Sequence, residues 1–291
     1  MRRVFLTFGD GGENFRAARD RIVREAQSTG QFDEVIGRDW SNVSSEVQAS
    51  SLRNCKRGCG YWIWKPDIIY YTLMRLADGD VLVYCDCGCE LRKTKGQWQR
   101  LFKRLESADI LLRKIRYCAY QWTKKETFDA FCPTHIGSDS HMCFQYEASA
   151  LVIKKTPFAL GLIKDWRDIA IATPSLFSDP SDISAELPGF VAARHDQSVF
   201  TCLVYKARSE GWGKKFDIMW DFHFGANLLE DAAIEVVRNR KGSPHARLSI
   251  KGRVIRAMQR LVYLFQSWLE EHGIMICWTM TDPSQQGTID R

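Results

Sequence analysis

The sequence predicts an α/β fold that begins with parallel strands, and three features carry that expectation. An apolar run, Val4-Phe5-Leu6-Thr7-Phe8, is followed by a helical stripe and then by Phe32-Asp33-Glu34-Val35-Ile36, and strand, helix and strand in that order imply a parallel start. A second run, Val81-Leu82-Val83-Tyr84-Cys85, is apolar at nearly every position, as in a central strand covered on both faces. Both runs end in acid-bearing turns, and in open α/β sheets ligands gather beyond the carboxyl ends of such strands.

The elements follow in order. After the first strand, Gly9-Asp10-Gly11-Gly12 reads as a turn, and Phe15, Ala18, Ile22 and Ala26 give the next segment a helical stripe that Gly30 ends. Beyond the second strand a polar loop through Asp39-Trp40-Ser41 leads to a predicted helix near 44–54. Pro66 suits the first turn of a helix carrying Ile68, Ile69, Leu73 and Leu76, which Asp78-Gly79-Asp80 stops. A helix near 95–107, strands near 109–113 and 149–154, a polar loop over 133–142 and a helix through Phe158–Trp166 come next. The Pro/Ser/Asp-rich 173–188 stretch reads as a long loop. Arg194-His195-Asp196-Gln197-Ser198 then introduces the stripe Val199, Leu203 and Ala207. The chain has no internal repeat.

Composition bounds the function. At 291 residues, 45% hydrophobic and 26% charged, with 20 Gly and 8 Pro, the chain buries a sizeable core and is neither collagenous nor largely disordered. No run approaches a membrane span, and Gly9-Asp10 interrupts the N-terminal apolar run too early for a signal peptide, so a cytoplasmic protein with its ten cysteines as thiols is expected. Cys85, Cys87 and Cys89 share strand parity. They read as small core residues or, more sharply, as metal thiolates, although zinc sites ordinarily use paired C-x₂₋₄-C or added His ligands. Walker-type, Gly-x-Gly-x-x-Gly and Gly-x-Ser-x-Gly sequences are absent, which argues against nucleotide hydrolases, dinucleotide enzymes and nucleophile-elbow hydrolases.

Four polar groups stand at strand or helix ends: Thr7–Asp10, Trp64–Asp67, Asp86–Glu90 and Arg194–Gln197. Each has a bland alternative. Asp86 is a ligand-facing carboxylate or a loop acid, with Glu90 a spare acid of the same parity. Lys65 sits before a helix start, where a cation and free N–H groups suit a diphosphate, or it is a solvated lysine. Trp62 and Trp64 share a face if extended, and stack on a ligand or fill core. Asp196 is a reacting carboxylate or a helix cap, with His195 then on the surface.

In this order on an α/β pattern, the sequence resembles the GT-A glycosyltransferases of bacterial and viral capsular polysaccharide and lipopolysaccharide synthesis. The resemblance runs over about residues 3–225. It is carried by Gly60-Tyr61-Trp62-Ile63-Trp64-Lys65-Pro66, Gly79–Glu90, Gln121-Trp122-Thr123-Lys124 and Arg194–Ser198. It implies a Rossmann-like nucleotide-binding half with a mixed central sheet flanked by helices; the catalytic domain is placed at 1–235, and 236–291 is read separately as a basic C-terminal segment with an amphipathic helix, a helical C-terminal extension. It further implies a nucleotide-sugar donor held by Thr7, Phe8, Gly9, Trp64, Lys65, Asp86, Gly88, Gln145 and Glu147, with Asp196 and Gln197 at the reacting carbon of a retaining transfer. Mn²⁺ or Mg²⁺ would be held in a D-x-D-type motif, which here reads Asp86-Cys87-Gly88 and lacks its last acid. Asp86 and a downstream histidine, His245 or His223, are the implied ligands. The partners implied are the donor and a glycan or lipid-linked acceptor, and no nucleic acid. The missing acid motivates an alternative, a non-catalytic carbohydrate or anionic-surface binding module on a decayed glycosyltransferase fold.

The C-terminus adds a basic face. From Val236 to Leu269 there is no Asp or Glu, while Arg238, Arg240, Lys241, Arg247, Lys251, Arg253, Arg256 and Arg260 fall there, a charge suited to phosphate, lipid headgroups or nucleic acid. Val254, Ile255, Met258, Leu261, Val262, Phe265, Trp268 and Leu269 follow helical spacing. Segment 252–270 is therefore an interfacial membrane helix at the inner face, or it packs on the catalytic domain or on a second copy of the chain.

Overall fold

The structure, a computed structural model, describes residues 1–93, 95–131, 144–220 and 232–240, together with Met258, Leu261, Val262, Phe265 and Leu269. Its start is parallel α/β: β1 (Arg3–Phe8), α1 (Glu13–Thr29) and β2 (Glu34–Arg38), with β1 and β2 in parallel register from Val4↔Glu34 to Phe8↔Arg38. Gly30 closes α1 in the left-handed conformation, as the sequence predicts. There follow α2 (Ser45–Gln48), the one-turn α3 (Gly58–Tyr61), α4 (Trp64–Met74), β3 (Val81–Cys85), β4 (Cys89–Leu91), α5 (Lys95–Arg104), β5 (Ile110–Cys118), α6 (Ala119–Trp122) and α7 (Lys125–Phe131). The described chain continues through β6 (Phe144–Lys154), α8 (Pro157–Ala172), α9 (Asp196–Ala207), β7 (Phe216–Trp220) and β8 (Ile234–Val236).

Six strands form one mixed sheet in the order β2-β1-β3-β6-β5-β7, and β4 and β8 form an antiparallel pair beside it. β3 lies parallel to β1 and antiparallel to β6, and all five of its side chains are buried, the reason its sequence shows no alternation. Val4, Leu6 and Phe8 of β1 enter one apolar layer with residues of α4, α8 and α9, while Phe5 enters the other with α1 and α5.

Several expectations are corrected. The 44–54 helix shrinks to the single turn of α2. Ser44, Ser45, Ser50 and Ser51 offer the backbone competing hydrogen bonds there, and Ser44 is drawn to Asp67, its N–H to Oδ2 at 2.9 Å and its Oγ to Oδ1 at 2.7 Å. The 149–154 strand extends back to Phe144, so Gln145 and Glu147 lie within β6. The 173–188 stretch carries two 3-10 turns, Pro174–Phe177 and Ile183–Ala185, and buries Leu176 and Phe177. Cys85, Cys87 and Cys89 are buried in one apolar cluster, and Cys118 is disulfide-bonded rather than a thiol. The 133–142 loop lies outside the described residues. Among those residues no helix is long and apolar enough to cross a membrane.

Candidate active site

Four chain segments converge where β1 and β3 end, the switch point of the sheet order. Lys65, in the first turn of α4, is only 2% exposed, and its ammonium lies 2.5 Å from Asp196 Oδ2 and 3.1 Å from Asp86 Oδ1. It also donates to the Ala148 carbonyl at 3.3 Å. Tyr84 Oη donates to Asp86 Oδ1 at 2.5 Å. Asp196, the first residue of α9, is 7% exposed and does not cap its helix, whereas Asp86 is 27% exposed and so is the member that solvent reaches.

One ammonium shared by two carboxylates leaves the group one negative charge in excess. Burial pulls Lys65 toward the neutral form, but Asp196 and Asp86 outweigh it and hold the lysine protonated. Burial pushes the Asp196 carboxyl up to about 6. Lys65 pulls the other way but is shared, and the negative charge of Asp86 adds to the rise. The folded protein thus holds a proton on Asp196 that the unfolded chain releases near 3.8, and this group lowers stability as pH rises from there to about 6. Carboxyl ¹³C NMR should show Asp196 titrating near pH 6 and moving downward in Asp86→Asn, which removes the like charge. An unmoved titration would mean that burial alone sets it.

The approach to α4 is strained. Five successive residues have left-handed φ values: Gly58 (56°), Cys59 (51°), Gly60 (91°), Tyr61 (53°) and Trp62 (59°). The three that are not glycine cost about 1–2 kcal/mol each. A Cβ at Gly58 would lie 2.1 Å from Cε3 of Trp62, so the ring closes directly over this glycine. The turn separates the two tryptophans. Trp62 stacks on His195, with centroids 5.4 Å apart, and Trp64 stacks on Phe8 at 3.7 Å, so Trp64 and Phe8 cover each other in the core.

His195 is itself strained, at φ 52° and ψ −118°, and it is buried, unlike the surface residue of the bland reading. Its Nδ1 lies 2.8 Å from the Phe177 carbonyl, which can only accept, so the ring donates there. Burial, followed by the Arg57 charge, holds its pKa down to about 4 against the pull of Asp179. It therefore stands neutral beside Asp196.

Arg21 and Gly88 fix the Asp86 turn. Arg21 is buried in α1 and its Nη2 donates to the carbonyls of Cys87 (2.8 Å), Cys89 (2.9 Å) and Asn239 (3.3 Å). The sequence carried a signal for it: Arg21 and Glu25 fall on the Ala18–Ile22–Ala26 stripe, where a charge is costly unless partnered. A Cβ on Gly88 would lie 3.2 Å from the Arg238 Cα, so the residue where a second acid would stand is a close backbone approach. Glu90 is buried, accepts from Asn239 Nδ2 at 2.6 Å and pairs with Arg92. Gly9 is packed on α1, where a Cβ would meet the Phe15 carbonyl oxygen and the Arg19 Cβ at 2.5 Å. Thr7 is buried with its Oγ1 unpaired.

Gln197 donates through Nε2 to Gln145 Oε1 at 2.7 Å, and Gln145 is fully buried. Glu147 pairs with Arg113 at 3.2 Å. Asp86, Lys65 and Asp196 are thus gathered around one point, with Gln197 the next residue of α9, while Trp64, Phe8, Gln145 and Glu147 are engaged by protein. His245 and His223 lie outside the described residues. Asp86 Oδ1 is taken by Lys65 and Tyr84, Gly88 has no donor, and no group of three His, Cys, Asp or Glu side chains suited to a metal ion occurs among the described residues. The described residues thus supply no complete set of protein ligands for a divalent cation, and the histidines implied as its further ligand lie outside them.

No family model matches the sequence, and no curated protein matches it. Solved structures that it resembles include glycosyltransferases. One is involved in the glycosylation of the major capsid of PBCV-1, at 10% identity and TM-score 0.44 over 90% of this chain and 100% of that one. Another is mouse xyloside xylosyltransferase 1, at 11% identity and TM-score 0.39 over 75% and 84% of the two chains. A third is the galactosyltransferase LgtC, in complex with donor and acceptor sugar analogs, at 14% identity and TM-score 0.32 over 70% of each. Identities and scores this low leave the functional reading to rest on the chain's own residues.

Proposed function

We propose that this chain is a GT-A glycosyltransferase that moves a hexose from a nucleotide sugar to a hydroxyl of a glycan or lipid-linked acceptor, with retention, in surface polysaccharide or lipopolysaccharide synthesis. The observation that carries this reading is the pair of carboxylates, Asp86 and Asp196, bridged by buried Lys65 at the strand ends. When the bond from the anomeric carbon to the diphosphate oxygen breaks, its electrons leave with the diphosphate and positive charge grows on the carbon. A poorly hydrated carboxylate held in place attracts that charge far more strongly than one in water. Asp196 has that setting, and Gln197, the next residue of α9, would add an uncharged amide oxygen. The negative charge growing on the diphosphate suits the first-turn N–H groups at the start of α1, since those of Gly9 and Gly11 are already given to the Arg38 carbonyl and to Asp10 Oδ1. The acceptor oxygen then bonds to the carbon from the face the diphosphate leaves, and its proton passes to a departing phosphate oxygen.

Gly88 also has a packing reason, since a Cβ there would lie 3.2 Å from the Arg238 Cα, so its presence alone does not favour a purely binding fold. A panel of nucleotide sugars, assayed for released nucleoside diphosphate with and without Mn²⁺, tests the reading. Slow hydrolysis of one donor supports it. Binding without turnover, even with acceptor extracts, would leave the carbohydrate-binding alternative.

A lipid-linked acceptor reached from the cytoplasmic face is the finer part of the reading, and the basic, apolar-striped C-terminal sequence supports it. Met258, Leu261, Val262 and Phe265 are helical and 52–63% exposed, while Leu269 is buried, and no acid stands between 236 and 269. Sedimentation with anionic vesicles should capture the protein at low salt and release it as salt rises, each basic residue near the surface contributing ~1 kcal/mol. Capture undiminished by truncation after Lys251 would move the contact elsewhere. No capture at all would assign the stripe to a protein interface, including one between two copies of the chain.

A further inference from the structure

The Gln121–Lys124 segment has no part in the site so far, yet a chain of hydrogen bonds joins it to Gln197. The Trp122 carbonyl, at the end of α6, accepts from Gln145 Nε2 (3.1 Å), Ser198 Oγ (2.7 Å) and Arg194 N (3.1 Å). Gln145 Nε2 also donates to Thr123 Oγ1 at 2.7 Å. A carbonyl can only accept, so this contact fixes which end of the Gln145 amide faces α6, and its oxygen must point the other way. That oxygen meets Gln197 Nε2 at 2.7 Å, and Gln197 can reach it only with its NH₂ group. Gln197 Oε1 is left with no hydrogen bond from the described residues, on the residue next to Asp196.

A glutamine is nearly symmetric in shape, and without such a chain Gln197 could present either end. Turned over, it would set two amide oxygens against each other at a buried position and offer a donor where positive charge develops. We infer that Gln145, anchored by the Trp122 carbonyl and the Thr123 hydroxyl, is a positioning residue that makes Gln197 present its carbonyl oxygen to the reacting carbon. What that oxygen does there rests on the glycosyltransferase reading; the clamp itself does not.

The test uses ¹⁵N-glutamine-labelled full-length protein, with the Gln197 side-chain amide assigned through Gln197→Leu. In the wild type that amide should exchange slowly with solvent. Gln145→Leu should speed its exchange at least about tenfold and lower kcat by about 10–100-fold, with the donor KM within about twofold, because it misplaces a group without removing a binding contact. Thr123→Val, close in volume, should move both readouts the same way, and Thr123→Ser, which keeps the acceptor oxygen, should restore them. If Gln145→Leu does not fold, the Thr123 pair carries the test. A Gln197 amide that exchanges freely in the wild type would overturn the clamp, as would variants whose kcat and exchange are both unchanged. If the exchange pattern is as expected while the wild type turns over no nucleotide sugar, the transfer reading falls and the clamp stands.

Discussion

Asp196→Asn is expected to lower kcat by about 100–1000-fold while donor affinity changes by no more than about threefold. Losing one charge-stabilising group from a water-poor site costs ~3–4 kcal/mol of transition-state stabilisation, and the amide keeps the shape of the carboxyl but not its charge. The ground state should be little affected. A bound nucleotide sugar carries its negative charge on the diphosphate, away from the carbon that Asp196 faces in the proposed geometry. Folding should also survive, because Lys65 keeps Asp86 as its partner at 3.1 Å and the buried carboxylate, with its penalty, is gone. Steady-state kinetics together with calorimetric donor binding separate the effects. An unchanged kcat with a raised KM would make Asp196 a binding residue and remove it from the reacting carbon.

The strands were legible because their causes are local. The apolar run of β3 predicts its central position, and Asp86 then follows at its carboxyl end. Asp196 was marked by its place at a helix start. What the sequence hid is who partners whom. Lys65 reads as a free cation for a diphosphate, and only the meeting of α4 with α9 and the end of β3 turns it into the bridge of a carboxylate pair. Trp62 and Trp64 share a face only if their segment is extended, and the left-handed turn from Gly58 to Trp62 sends them to different neighbours. Two glycines flanking Cys59 were the available sign of that turn, since glycine is the residue that enters it without strain. Gln145, given a donor-binding role by the family resemblance, is buried within β6 with both ends of its amide bonded to protein. At Gly88 the sequence shows a missing acid, where the structure shows the backbone of Arg238, 150 positions later in number, pressed against it.

Lys65→Met is expected to be the most damaging single change, and its signature is in the pH dependence. Methionine fills much of the lysine stem's volume, so packing is nearly kept while the ammonium between Asp86 and Asp196 is lost. Breaking a buried pair by removing one partner costs ~3–5 kcal/mol when the remaining charge has nowhere to go, which for a chain of this size is on the order of 10 °C in Tm. That cost applies while Asp196 is ionised. Its carboxyl already stands at about 6 with Lys65 present, and losing the ammonium moves it higher. Below pH 6 the carboxyl is therefore neutral in wild type and variant alike. The pairing of Lys65 with Asp196 is present above that point and lost as pH falls through it, while its pairing with Asp86 at 3.1 Å stays, so the gap in Tm between the two proteins should be large at pH 8 and shrink toward pH 5. Transfer should be lost throughout, since Asp86 and Asp196 would no longer be held toward one point. Thermal unfolding of both proteins across this range decides the matter. A gap of equal size at pH 5 and pH 8 would mean that Lys65 stabilises through its stem or through Asp86 alone and not through Asp196, and the bridged carboxylate pair would cease to be the basis for reading this site.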